Sequence, residues 1–463
     1  MNATTRPYPR RRRWPWFVAG VVGLPLTLLV FRQLQPQSVA EARLGHLRNL
    51  GYPTTVAELT AWLPAPADTN NLYYPVWAAA QALKSSRAGP IPMASDSKQV
   101  LRLSEPWSAD LISRTGAYVT NNSEVFVQTG EILNPLRTVG LAPLPLSNGF
   151  SLLLPHLAQY KDLAQSFAAK AGLDAEEKRP NAALNDLRAQ LAIARALDHE
   201  PLIISQLVRM AIEAIASTTT ERVLNRLELG EAELALLQAE FTHRAGLKQM
   251  VDGLVGEYCI GHDTMANPNQ MMGVVMAPTP VTTGNSSTFG LRLYSALGFM
   301  KQDRAAYTEM MVDMIDIGRM DPWEQFPLLQ TWENRVAAMK WYQGRIFTRM
   351  LLPALAKATT KETRNIAHLK CVATGLAILR FRQRHAGQLP ENLAALTPDL
   401  ISSVPLDPFD GQPLRYLPRA GGFVVYSVGP NRKDDGGKPW TKGKTSEDFD
   451  VTFTLEGPAT SPR

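Results

Sequence analysis

Several groups of residues have types and spacings that could do chemistry. Ser95-x-x-Lys98 has the spacing of a serine nucleophile beside a lysine, in which a desolvated amine takes the hydroxyl proton. Patterns of four residues arise by chance, and no S-D-N or K-T-G element follows in place, Lys444-Thr445-Ser446 being a near miss for the latter. A surface loop is the competing reading. His262-Asp263, with Glu257 and His243 nearby, supplies metal-binding types without H-E-x-x-H spacing, and a lone histidine at a helix end is usually structural. Met271, Met272 and Met276, followed by Met310, Met311 and Met314, are soft donors of the kind monovalent copper prefers. Methionine also fills irregular cores, and the last three share one side of a helix, so burial is their expected role. Gly443-Lys444-Thr445 has the last residues of a phosphate-binding loop, but Lys438 stands where its first glycine must be.

The elements that would carry these groups are mostly helical. The chain has 463 residues, 45% of them apolar and 19% charged, enough for a sizeable core and free of collagen-like or disordered bias. Two cysteines, Cys259 and Cys371, are too few for a disulfide framework or a zinc site of their own. Ala40, Leu44, Leu47 and Leu50 recur every three or four residues, the period of a helix. Thr55-x-x-Glu58 has the form of a capping box opening a short helix to Trp62, and 76–83 reads as another helix. Leu184, Leu187, Leu191, Ala194 and Leu197 make one apolar face. After Pro201, so do Ile204, Leu207, Ala211, Ile215 and Thr218. Short connections between such segments predict antiparallel helix pairs.

The net charge of +6 comes entirely from Arg6, the arginines at 10–13 and Arg32, so the rest of the chain is neutral. That excludes a basic nucleic-acid footprint from the body. Residues 16–31 carry no charge, and Trp14 and Trp16 mark a headgroup boundary; a span over 14–32 meets the requirement of roughly 17–25 residues. The arginines before it predict a cytoplasmic tail at 1–13 and everything beyond on the far side of a bacterial inner membrane. A cleaved signal ending near Ser38-Val39-Ala40 is the alternative; the body is extracytoplasmic in either case.

The last hundred residues are the most informative. An amphipathic helix over 362–384 carries Ile366, Leu369, Ala373, Leu376, Ala377 and Arg380 on one side. A leucine-rich turn over 392–396 follows. Strand candidates come at 414–417, 423–428 and 451–455. The helix ends in Arg380-Phe-Arg-Gln-Arg-His-Ala-Gly387, with Leu389-Pro390, Pro405-Leu-Asp-Pro-Phe-Asp-Gly411, Leu414-Arg-Tyr416 and Gly422-Phe-Val-Val-Tyr-Ser-Val-Gly429 after it. This order resembles the globular part of the major pseudopilins of bacterial type II secretion, over 362–455. In that family the loop after the Tyr-Ser-x-Gly strand binds calcium, so the resemblance implies a calcium loop here. Its loop aspartate corresponds to Asn431, and Asp450 matches the one before the final strand. Asn431, Asp434, Asp435, Asp448 and Asp450 supply the hard oxygens calcium takes, and an extracellular affinity of about 10⁻⁴–10⁻³ M is the scale to expect. The competing reading is a solvated acidic loop neutralised by Lys433, Lys438, Lys442 and Lys444. Because 362–384 follows a long helical body, the segment is expected to be a reused module, without assembly into a fibre.

The expected fold is therefore mainly α. A membrane anchor at 14–32 leads to a helical extracytoplasmic domain over 37–361, an α+β module over 362–455 with a three-stranded antiparallel sheet, and a tail at 456–463. The expected function is a noncatalytic envelope scaffold that binds a protein partner and calcium. An envelope hydrolase using Ser95 and Lys98 or a metal is the alternative, and an accessory component of a type II secretion-like apparatus the second.

Overall fold

The longest helix, Pro353–Arg384, is the element around which the others gather. The structure, a computed structural model, describes residues 37–86, 89–92, 103–267, 294–295, 298–340, 345–438 and 449–457. The helices before it are α1 (Gln37–Asn49), α2 (Val56–Trp62), α3 (Tyr73–Ser85), α4 (Ala109–Asn121), α5 (Ser123–Val127), α6 (Thr129–Ile132) and α7 (Pro155–Glu176). Then come α8 (Pro180–Arg195), α9 (Ile203–Arg226), α10 (Glu231–Ala245), α11 (Gln249–Ala266) and α12 (Phe299–Arg319). The last are α13 (Pro322–Ala338), α14 (Ile346–Leu351) and the long helix itself, α15. Strands β1 (Arg415–Arg419), β2 (Gly422–Ser427) and β3 (Val451–Leu455) form an antiparallel sheet in the order β1-β2-β3. The fold is mainly helical, with this small sheet at its end. Among the described residues no helix is long and apolar enough to cross a membrane, and 14–32 lies outside them.

Local chemistry sets the helix ends. Proline opens α7, α8, α13 and α15, where its missing N–H costs no hydrogen bond. Thr55 caps α2 by accepting the Glu58 N–H at 3.2 Å. The Glu58 carboxylate turns back to the Thr54 N–H at 2.7 Å, so the expected capping box closes one residue early. The helix expected at 362–384 begins at Pro353 instead. It is also buried on more than one side, with α10 against one flank and β2 and β3 against another. The 392–396 turn is a 3-10 helix, Leu393–Leu396, capped by the Asn392 side chain. The three strands fall within two residues of their expected ends.

Packing produces three main cores. One gathers Leu47, Leu59, Tyr258, Trp332 and Leu355, and takes Met310, Met311 and Met314 as buried filler. Another joins Leu187, Phe241 and Leu376 to Phe423 and Phe453, so the helical body and the sheet share one apolar interior. The third lies between α3, α7 and α8 around Val76, Phe167 and Ile193. Leu184, Leu187, Leu191, Ala194 and Leu197 are all buried as expected. The expected apolar face of α9 is not: Ile204 and Thr218 are exposed, and Leu207, Ala211 and Ile215 only half-buried. The side of α9 that faces inward carries Gln206, Arg209, Glu213 and Ser217. Ile203, Met210, Ile212, Ala216 and Val223 are buried on the same helix, so buried charge and apolar area together decide how it is turned.

Candidate functional site

That polar side of α9 builds a closed ion cluster. Arg209, 1% exposed, donates to Gln206 at 2.6 Å, to Glu213 at 2.8 Å and to both oxygens of Glu362 at 2.9 Å. Arg244 of α10 reaches Glu213 at 2.6 Å and grips both oxygens of Asp198 at 2.7 Å. Asn365 of α15 completes it, its Nδ2 donating to Glu213 at 2.6 Å. Burial pushes the Glu213 carboxyl up, but Arg209 and Arg244 overcome that and hold it below the usual range. Each charge faces an opposite one, so the cluster ties α9, α10 and α15 together and leaves no ionised group free for a substrate.

Beside the cluster lies a cleft of ≈ 490 Å³ between α9, α15 and β3. Leu207, Met210, Ala211 and Ala214 line its α9 wall, so Leu207 and Ala211 of the misassigned apolar face go there. Lys361, Arg364, Asn365 and His368 line the α15 wall, and Asp450 to Thr452 close one end. Burial, reinforced by Arg364, pushes His368 down to about 4, so it is neutral at pH 7. Glu221 is pushed up to about 8, chiefly by burial and in part by Glu456, against the Thr454 N–H that its carboxyl accepts.

The expected calcium loop hangs from the same end of the sheet. Asn431 donates to Asp435 at 3.0 Å. Asp434 accepts the Tyr426 hydroxyl at 3.0 Å and the Gly436 N–H at 2.9 Å. Asp450, 1% exposed, accepts the Gly437 N–H at 2.8 Å and the Asp435 N–H at 3.4 Å. Its carboxyl is raised by burial first, then by the charges of Asp435 and Asp434, against those two N–H donors. Asp448 lies outside the described residues. Four of the five expected ligands thus share one loop, with donors already on all three of their carboxylates. Among the described residues no three His, Cys, Asp or Glu side chains form a metal-holding group.

The motif pieces at 405–429 are knit by one buried carboxylate. Asp407, fully buried, accepts the Phe409 N–H at 2.9 Å, the Ser427 hydroxyl at 2.7 Å and the Val428 N–H at 2.9 Å. Arg415 bridges Asp407 at 2.6 Å and Asp410 at 3.2 Å, and the Tyr416 hydroxyl reaches the Pro390 carbonyl at 3.1 Å. This clasp pins the turn to both β1 and β2.

The other candidates separate. Ser95 and Lys98, Met271, Met272 and Met276, and Gly443-Lys444-Thr445 all lie outside the described residues. His262 pairs with Asp263 at 3.3 Å, while Asp263 also caps α2 through the Val56 N–H at 2.8 Å. His243 is exposed on α10, and Glu257, pushed up to about 7 by burial, accepts a backbone bond from Ile203. Among the described residues, therefore, no further ligands converge on His262 for a metal. Cys259 and Cys371 are free, buried and in different cores. A group not singled out in the sequence is His156, whose Nε2 meets Glu200 at 2.8 Å while the Ser205 hydroxyl donates to the other Glu200 oxygen at 2.6 Å. Serine and histidine both address the carboxylate and not each other, which is the wrong connectivity for an activated nucleophile. No family model matches the chain, and neither a curated protein nor a solved structure does.

Proposed function

We propose that the chain is a noncatalytic, membrane-anchored scaffold of the bacterial envelope, with residues 14–32 in the inner membrane and the body on the periplasmic side, where it holds a protein partner. One observation carries the noncatalytic reading: the buried charge cluster of Arg209, Glu213, Arg244, Asp198 and Glu362 closes on itself. Catalytic groups need free valence toward a substrate, and a self-paired cluster spends its charges on orientation instead. The anchor is supported by the uncharged run at 16–31 behind four consecutive arginines. Fusing alkaline phosphatase or green fluorescent protein after residue 463 tests the topology. Phosphatase activity without fluorescence is expected, and the reverse pattern overturns it.

The terminal module adds a weak calcium site in this reading. What favours it is the loading of one loop with Asp434, Asp435 and Asp450; burial raises Asp450, and the charges of Asp435 and Asp434 add a repulsion that a cation would relieve. Millimolar calcium is expected to raise the melting temperature, and Asp450→Ala to abolish the rise. An unchanged melting temperature in about 10 mM calcium ends the claim.

A further inference from the structure

The cleft beside the ion cluster has three features that select one kind of occupant. The first is an unanswered acceptor. Asn365 lines the cleft at 7% exposure, and its Oδ1, itself shielded from solvent, has no hydrogen-bond partner among the described residues. The amide cannot be turned round, because Nδ2 must face Glu213, whose ionised carboxylate only accepts. Oδ1 therefore calls for an N–H or O–H donor.

The second feature is a sheet edge that is blunted along only part of its length. β3 is the outer strand of the sheet. The Thr454 N–H is taken by Glu221, the Thr454 carbonyl by Asn225 Nδ2 at 2.8 Å, and the Glu456 N–H by Asn225 Oδ1 at 2.7 Å. Alternation along the strand turns the Thr452 N–H and carbonyl to this same outer side. There no described side chain takes them, and Thr452 lines the cleft. The third feature is charge. Lys357 and Lys361 stand exposed, one turn apart on α15, and Lys361 is on the cleft wall. Opposite them the α9 wall is apolar over Leu207 to Ala214, where Ala211 and Ala214 leave room for side chains, and turns polar at Thr218 and Glu221.

A fatty acid would satisfy the apolar wall and the lysines but has no donor for Asn365. Inorganic phosphate would leave the apolar wall bare. An extended polypeptide meets all three features. We propose that this cleft receives a short extended peptide segment of a partner protein. The segment pairs its backbone with Thr452, gives an amide N–H to Asn365 Oδ1, packs apolar side chains on Ala211 and Ala214, and sets an acidic side chain against Lys361. The inference rests on the scaffold reading and names the chemistry of its partner.

The test uses the full chain in detergent and a fluorescein-labelled, end-blocked peptide, Glu-Thr-Val-Thr-Val-Glu, read by fluorescence anisotropy. Two control peptides replace both glutamates by glutamine or the central residues by proline, which removes N–H donors. Binding of the acidic peptide is expected. The glutamine form and Lys361→Glu should each weaken it by about five- to tenfold, and the proline form should not bind. Ala214→Phe fills the cleft without touching the ion cluster and should abolish binding. If that variant melts early, the exposed Lys361→Glu variant keeps the test decisive. Equal binding of the proline peptide, or binding indifferent to both variants, overturns the proposal. So does no binding at millimolar acidic peptide. Any of these failures leaves the scaffold reading to its own topology test.

Discussion

At the scale of single residues, burial sets what the acids of this chain can do. Burial, and in smaller part the charge of Glu456, push the Glu221 carboxyl up from 4.5 to about 8. The folded chain therefore binds that carboxyl's proton more tightly than the unfolded chain, so the neutral carboxyl stabilises the fold below about pH 4.5. That contribution is lost as pH climbs through about 8. Glu221→Gln keeps an oxygen for the Thr454 N–H and removes the titration. Thermal melts should match the parent at about pH 4.5 and lie above it at about pH 9, and an unchanged pH profile refutes the assignment. Residue identities told part of this in advance. The acids at 434, 435 and 450 are visible as a loop cluster, but that Asp450 is a buried tie for the Gly437 N–H depends on the turn that brings them together. Asp407 was visible only as part of a turn motif, because its partner Ser427 lies two strands later.

At the scale of elements, hydrophobic period and turn chemistry were sufficient wherever the buried surface is apolar. The faces of α8 and the three strands follow from spacing alone, and so does the burial of Met310, Met311 and Met314. Spacing misplaced α9 for a physical reason: a single apolar stripe marks the core only where one side is buried, and α9 buries several, with Met210, Ile212 and Ala216 as well as Arg209 and Glu213. The i, i+4 order of that Arg–Glu pair was in the sequence, yet such pairs are ordinarily solvated, and only the arrival of Glu362 and Arg244 from distant helices buries it. The start of α15 was likewise hidden, since its first turns bury against a different core from its last ones. The contact of α15 with β3 gives a sharp prediction. Gly375 has Phe453 in the space a side chain would fill, its ring 2.2 Å from an added Cβ. Gly375→Ala gains about 1 kcal/mol of helix propensity but must push the helix off the sheet. Overpacking of that kind costs about 1–3 kcal/mol. A net loss in urea melts is expected, and a gain would mean that the helix and strand are not in this contact.

At the scale of the whole molecule, the body and the sheet module are joined by a shared core and by the ion cluster beside it. That joining is why the segment at 362–455, which reads as a separable module from its motifs, has its helix built into the body: α15 packs against α9, α10 and α13 as well as β2 and β3. The cluster fixes the angle between α9 and α15, and with it the width of the cleft they enclose. A catalytic cluster could lose one carboxylate with the fold intact, whereas an orienting one could not. Urea unfolding of Glu213→Gln therefore tests the central claim most directly, because it removes the carboxylate that Arg209 and Arg244 share and leaves each with one acidic partner, Glu362 and Asp198. The account predicts a loss of about 1.5–3 kcal/mol, with a coincident shift in far-UV and fluorescence signals. A stability within about 0.5 kcal/mol of the parent would contradict it.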